Sequence, residues 1–268
     1  MASRAHAAAP PPSPNSAGRI VAVVNQKGGV GKTTTAINLA SALAERGVHV
    51  LLIDIDPQSN STSGLGVDPS RPRPTVYDLL IGRAAIDEVA MATSVPGLFL
   101  VPSHVSLAGA EIDLATMPER ELRLRAALAE LKGGYGHVLI DCPPSLGLLT
   151  LNALAAAHEI LIPLQSEYFA LEGLGHLLHT HQLVKTRLNP ELKIGGILMT
   201  QFDGRTALAW QVLDEVRRAY PRHLYRTVIP RNVRVSEAPS HGRPVTEYDS
   251  ACRGAIAYRQ LAEEVLER

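Results

Sequence analysis

Two lysines bracket the stretch best equipped for chemistry, Lys27-Gly28-Gly29-Val30-Gly31-Lys32-Thr33-Thr34. Glycines let backbone N–H groups close on an anion, and a helix opening at a Lys-Thr pair presents its positive end to the same anion. An apolar run precedes the loop and an amphipathic segment follows it, so the stretch predicts a phosphate cradle. Lys32 is placed to reach the β- and γ-phosphates, and the Thr33 hydroxyl to ligate Mg²⁺. The pattern departs from the ordinary phosphate loop, which needs glycine at Gln26. A second cation, Lys27, precedes the glycines instead. Phosphoryl transfer gains from an added cation beside the leaving charge.

Two other apolar runs end on acids. Val138-Leu139-Ile140 delivers Asp141, and Val48–Ile53 leads into Asp54-Ile55-Asp56-Pro57-Gln58. Carboxylates at the carboxyl ends of parallel strands lie where open α/β sheets bind ligands. Asp141 reads as the acid that holds the magnesium hydration shell, and one of the other two as the group that orients the attacking water. For Asp54, capping of local backbone is an equal alternative.

These side chains need a frame. Strands are expected at Ile20–Asn25, Val48–Ile53, Leu98–Val101, Val138–Ile140, Glu159–Leu164, Lys193–Thr200 and Leu224–Ile229. Helices are expected over Thr33–Arg46, around Val76–Ile81, and over Glu119–Leu131, Leu146–Ala157, Leu171–Leu188, Thr206–Tyr220 and Ala251–Glu267, with Ser59–Gly66 a polar loop. Uninterrupted apolar strands separated by helices indicate a parallel sheet covered on both faces. The expected fold is therefore α/β, a single domain over 19–268 with a mostly parallel central sheet of the P-loop NTPase type. Residues 1–18, rich in Ala, Pro and Ser, read as a disordered tail.

Lys and Arg total 26 and so do Asp and Glu, so no global field draws the chain to nucleic acid. Cys142 and Cys252 form neither a disulfide framework nor metal-ligand spacing, which fits a reducing cytosol. No apolar run reaches the ~20 residues of a membrane span.

The loop, Asp54–Gln58 and Asp141-Cys142-Pro143-Pro144-Ser145 together resemble the deviant Walker A ATPases. Within them, Ser63–Gly66, Glu167-Tyr168-Phe169-Ala170-Leu171-Glu172-Gly173 and Ile229–Ser240 are similar to chromosomal ParA/Soj proteins. The resemblance runs from Ile20 to the C-terminus. It implies an ATP-sandwich homodimer in which Lys27 crosses to the partner's phosphates and Gly28 faces Gly28 of the second subunit. It further implies that Asp56 positions the water and that Asp141 acts on magnesium through water. Pro230 and Asn232 would flank the adenine, and the Asp141–Ser145 turn would sense the γ-phosphate.

Val216–Ser236 holds six arginines and no acid, a local basic stripe suited to nonspecific phosphate contact. A charge run is usually a solvated face, but Arg205 and Arg234 match DNA-binding positions of the resembled family. Arg217, Arg218 and Arg226 join them as candidates, while Arg231 could serve the nucleotide pocket or the dimer. The implied function is DNA segregation: a cytoplasmic, nucleoid-associated ATPase with double-stranded DNA and a ParB-type protein as partners. An ATP-gated scaffold that positions a non-DNA cargo, similar to MinD or to a cargo-positioning ParA, is the alternative. A membrane-binding version would end in a basic amphipathic helix, whereas this chain ends in the acidic Gln260–Arg268. An amidotransferring relative would bring an extra substrate domain, for which no length remains.

Overall fold

The computed structural model describes residues 18–71, 73–131, 134–167 and 170–268. The tail assigned to 1–18 therefore lies outside the described residues but for Gly18, as do Tyr168 and Phe169 of the Glu167–Gly173 motif. Eight strands form one sheet: β1 (Arg19–Val23), β2 (Val50–Asp54), β3 (Met91–Ala92), β4 (Leu98–Val101), β5 (His137–Asp141), β6 (Glu159–Gln165), β7 (Lys193–Phe202) and β8 (Leu224–Pro230). Their order is β3-β4-β2-β5-β1-β6-β7-β8. Every neighbouring pair is parallel except β3 with β4.

Strand periodicity explains the layers. Successive side chains point to opposite faces, and here both faces are covered. Val21 and Val23 pack with Leu39 and Leu43 of the helix Lys32–Glu45, and with Tyr258 and Leu261 of the terminal helix Arg253–Glu267. Ala22 and Val24 pack on the other side with Leu149, Leu154 and Leu174. The acidic C-terminus is thus a packed core helix. No helix among the described residues is long and apolar enough to cross a membrane.

The register does the positioning. Val23 of β1 and Asp54 of β2 both pair with Asp141 of β5, so three strands end level at the carboxyl edge of the sheet. The phosphate loop rises from this edge between β1 and its helix.

Three expectations are corrected. Ser59–Gly66 is not a loop: Asn60–Gly64 is a short helix, because the carboxylate of Asp54 accepts from the Thr62 N–H (2.8 Å) and hydroxyl (2.7 Å) and fixes the turn from outside. The helix expected over Glu119–Leu131 is confined to Arg123–Ala129, since Glu119 takes a left-handed φ of 50° and breaks its first turn. The basic stripe is one run in sequence and two clusters in space. Arg217, Arg218 and Arg222 precede β8, and Arg231 and Arg234 follow it, with the strand's 7 residues, Arg226 among them, in between. That separation is roughly 20 Å.

Candidate active site

The loop is built to face an anion. Gly29 and Gly31 hold φ of +77° and +86°, conformations a side chain rarely adopts. Asn25 secures the loop's entry: its Nδ2 donates to the Pro163 carbonyl (2.7 Å), and its Oδ1 accepts from the Lys27 N–H (3.0 Å). Lys32, buried in the first turn of its helix, donates from Nζ to the Lys27 carbonyl at 3.0 Å. Burial pulls the pKa of this ammonium down, and Asp141, Cys142 and Asp56 oppose the shift. A buried cation with too few anions around it is poised for phosphate.

Asp54 and Asp141 are both fully buried and adjacent. Desolvation first, and then the charge of Asp141, push the Asp54 carboxyl up to about 8. Asp141 is also raised by burial, against hydrogen bonds from Ser61 and Thr33. The Ser61 hydroxyl donates to Asp141 Oδ2 at 2.8 Å, whereas Asp141 Oδ1 is buried without a partner. An orphaned carboxylate oxygen beside the Thr33 hydroxyl fits a magnesium hydration shell. Burial also pushes the Cys142 thiol well up, leaving it a protonated core residue.

Asp56 is nearly buried. Its Oδ1 accepts from the Gln58 N–H (3.0 Å), while Ser103 Oγ donates to its carbonyl (2.7 Å). It lines one cleft with Gly28, Gly29, Gly31, Lys32, Thr33 and Thr34, and Asn60, Pro144 and Gln201 border the same cleft. Val30 is buried beneath them. A second cleft shares Gly31, Thr34 and Gln201, and continues over Ile229, Pro230, Asn232 and Tyr258. The two clefts thus join at Gly31, Thr34 and Gln201. The Asn232 Oδ1 is committed to capping the next helix through the Arg234 N–H (2.8 Å), which leaves its Nδ2 for a ligand.

The residues singled out in sequence for other roles lie apart from this centre. Lys27 is half exposed and pairs with Glu167 instead of entering its own cradle. Four of the five arginines proposed for DNA hold acids: Arg205 with Asp203, Arg217 with Asp214, Arg226 with Glu264 and Glu267, and Arg234 with Glu237 and Asp249. The acids come from outside the acid-free stretch, so the local charge is smaller than the sequence implies. Arg218 has no acid partner among the described residues. Sequence reasoning missed Asn25, Ser61, Thr62, Gln201 and Arg253. Arg253 lines a third cleft with Arg205 and Arg231.

A family model described as an AAA domain matches residues 18–194. The sporulation initiation inhibitor protein Soj of Bacillus subtilis is 52% identical over 248 residues, covering 92% of this chain and 98% of that protein. The chromosome partitioning protein ParA of Caulobacter vibrioides is 51% identical over 252 residues, covering 93% of this chain and 94% of that protein. Among solved structures, cobyrinic acid a,c-diamide synthase from Mycobacterium smegmatis with bound ADP and magnesium matches with a TM-score of 0.82 and 41% identity, over 93% of this chain and 94% of that one. That synthase has no long extra domain, so length alone does not separate the two kinds of relative. The higher identity lies with Soj and ParA.

The buried acid pair makes stability pH-dependent. The unfolded chain releases the Asp54 proton near 4, while the folded chain keeps it to about 8. Between these values the folded state binds more protons, so stability falls as pH rises. Without nucleotide or metal, the melting temperature of Asp54→Asn relative to the parent is expected to climb by several degrees from pH 5 to pH 8, at about 2–4 °C per kcal/mol. A constant difference across that range would show that Asp54 is already ionised at pH 5.

Proposed function

The chain belongs to the ParA/Soj family of partitioning ATPases and uses ATP and Mg²⁺; from that premise we propose that it is a DNA-segregation switch whose ATP-bound form is a sandwich dimer on DNA. The observation that carries the proposal is the fate of Lys27. Its ammonium is turned away from its own cradle onto Glu167, which supports a role toward a nucleotide held in a second subunit. Gly28 supports the same reading. A Cβ built there meets nothing within 4 Å among the described residues, so their packing does not account for a glycine at this position.

In this reading the loop amides and Lys32 hold the phosphates, and Thr33 and Asp141 would hold the metal, Asp141 through water. Bound Mg²⁺ supplies positive charge that screens the phosphate oxygens. Asp56, held by its own hydrogen bonds at the cleft wall, orients the attacking water, and Pro230 and Asn232 receive the base. The second subunit's Lys27 completes the site, so turnover is slow in one subunit alone. Exposed arginine pairs are worth about 0–1 kcal/mol, so the DNA backbone can displace the acids from Arg205 and Arg234. A ParB-type partner then stimulates hydrolysis and release, which places the dimer on the nucleoid until turnover.

Three outcomes test the scheme. With ATP, light scattering is expected to show the parent doubling in mass, and Lys27→Ala and Gly28→Val remaining single while Gly28→Val still binds nucleotide. A dimer in either variant refutes the sandwich. Asp56→Ala is expected to keep ATP and DNA binding but lose phosphate release by about 10²–10⁴-fold; normal release would exonerate that carboxylate. Arg234→Glu is expected to lose DNA in a gel shift while keeping the ATP dimer, and parent affinity is expected to fall steeply with salt. Salt-insensitive retention by the variant would move the DNA face elsewhere, and a parent that dimerises with ATP but binds no DNA would favour the cargo-scaffold alternative.

A further inference from the structure

We propose that Gln201, with Thr200 beside it, is a positioning residue that sets the phosphate loop's amides from the end of β7; the inference rests on the loop being the nucleotide site. Gln201 Nε2 donates to the Gly29 carbonyl at 2.6 Å, and Thr200 Oγ1 donates to the Val30 carbonyl at 2.7 Å. Two successive residues of one strand therefore hold two successive carbonyls of a loop some 170 positions away in sequence.

An ordinary strand cannot do this, because its successive side chains leave by opposite faces. The break in alternation is visible at Gln201. Its φ is 49°, one of three positive values at non-glycine residues among those described. Pairing of β7 with β8 also slips between Met199 and Phe202. A left-handed residue outside a turn glycine persists only where the surroundings fix it, and such residues gather at functional sites.

The consequence for the loop follows from the planar trans peptide, in which C=O and N–H point in opposite directions. The peptide that carries the Gly29 carbonyl carries the Val30 N–H, and the one that carries the Val30 carbonyl carries the Gly31 N–H. Holding both carbonyls against β7 fixes both peptide planes, with the two N–H groups turned away from β7. The orientation of the Gln201 amide is settled chemically, since the Gly29 carbonyl can only accept. Gln201 Oε1 then faces Gln165 Nε2 at the end of β6 (3.4 Å). Gln201 also borders both compartments of the cleft.

The test is ADP affinity with Mg²⁺, measured by calorimetry, beside melting temperature without nucleotide. Gln201→Gly keeps the left-handed backbone unstrained and removes only the side chain. It is expected to weaken ADP about tenfold, equivalent to about 1.4 kcal/mol, with the nucleotide-free melting temperature unchanged. Thr200→Val is expected to weaken ADP similarly, and Thr200→Ser to restore what Thr200→Val loses. A lower melting temperature with parental ADP affinity in Gln201→Gly would reduce the contact to a structural one and overturn the inference. Lys32→Ala separates this from failure of the site itself: loss of ADP binding there beside parental affinity in Gln201→Gly overturns the positioning role alone. Parental ADP binding by Lys32→Ala would overturn both.

Discussion

Two buried carboxylates, Asp54 and Asp141, level on adjacent strands, set the terms for the carboxyl edge of this sheet. Ionising either one there costs desolvation, and ionising both adds repulsion at short range. The structure meets the cost with hydroxyls and backbone amides: Thr62 serves Asp54, Ser61 serves Asp141, and Ser103 ties Thr62 to the Asp56 carbonyl. The short helix Asn60–Gly64 exists to deliver these donors. One carboxylate oxygen, Asp141 Oδ1, is left without a donor. That oxygen belongs to the acid whose neighbours include Thr33 and Lys32 of the loop.

The same network explains what could be read from sequence. The strand-end acids were legible because an apolar run that stops on Asp is a one-dimensional signal. The loop was legible because its function needs glycines at fixed spacing. Ser61 and Thr62 were not, since a polar stretch without periodicity looks the same whether its hydroxyls face solvent or a buried acid. Asn25, Thr200 and Gln201 failed for another reason. Their contacts join strand ends far apart in the chain, and no local pattern encodes such a pairing.

Charge shows the converse error. The arginines of Val216–Ser236 were counted as unopposed because no acid falls among them in sequence. Folding brings Glu264 and Glu267 of the terminal helix to Arg226, and Asp249 to Arg234. It also sets β8 between the two halves of the run. Among the described residues, Arg218, Arg222 and Arg231 hold no acid, while Arg217, Arg226 and Arg234 do.

Exchange of partners also links the loop to assembly. Lys27 and Glu167 are each nearly half exposed, so water and salt screen their attraction and the pair is weakly held. A single screened carboxylate suffices to keep the lysine off its own cradle, and it is a poor rival to the multiply charged phosphates of a nucleotide in an interface that excludes water. In the proposed sandwich the exchange becomes favourable only when a second subunit arrives with those phosphates in place. The cation at Lys27, and the absence of a side chain at Gly28 next to it, then make dimer formation conditional on the nucleotide in both subunits. A phosphate loop of the ordinary pattern, with its cation only at the helix end, carries no such condition.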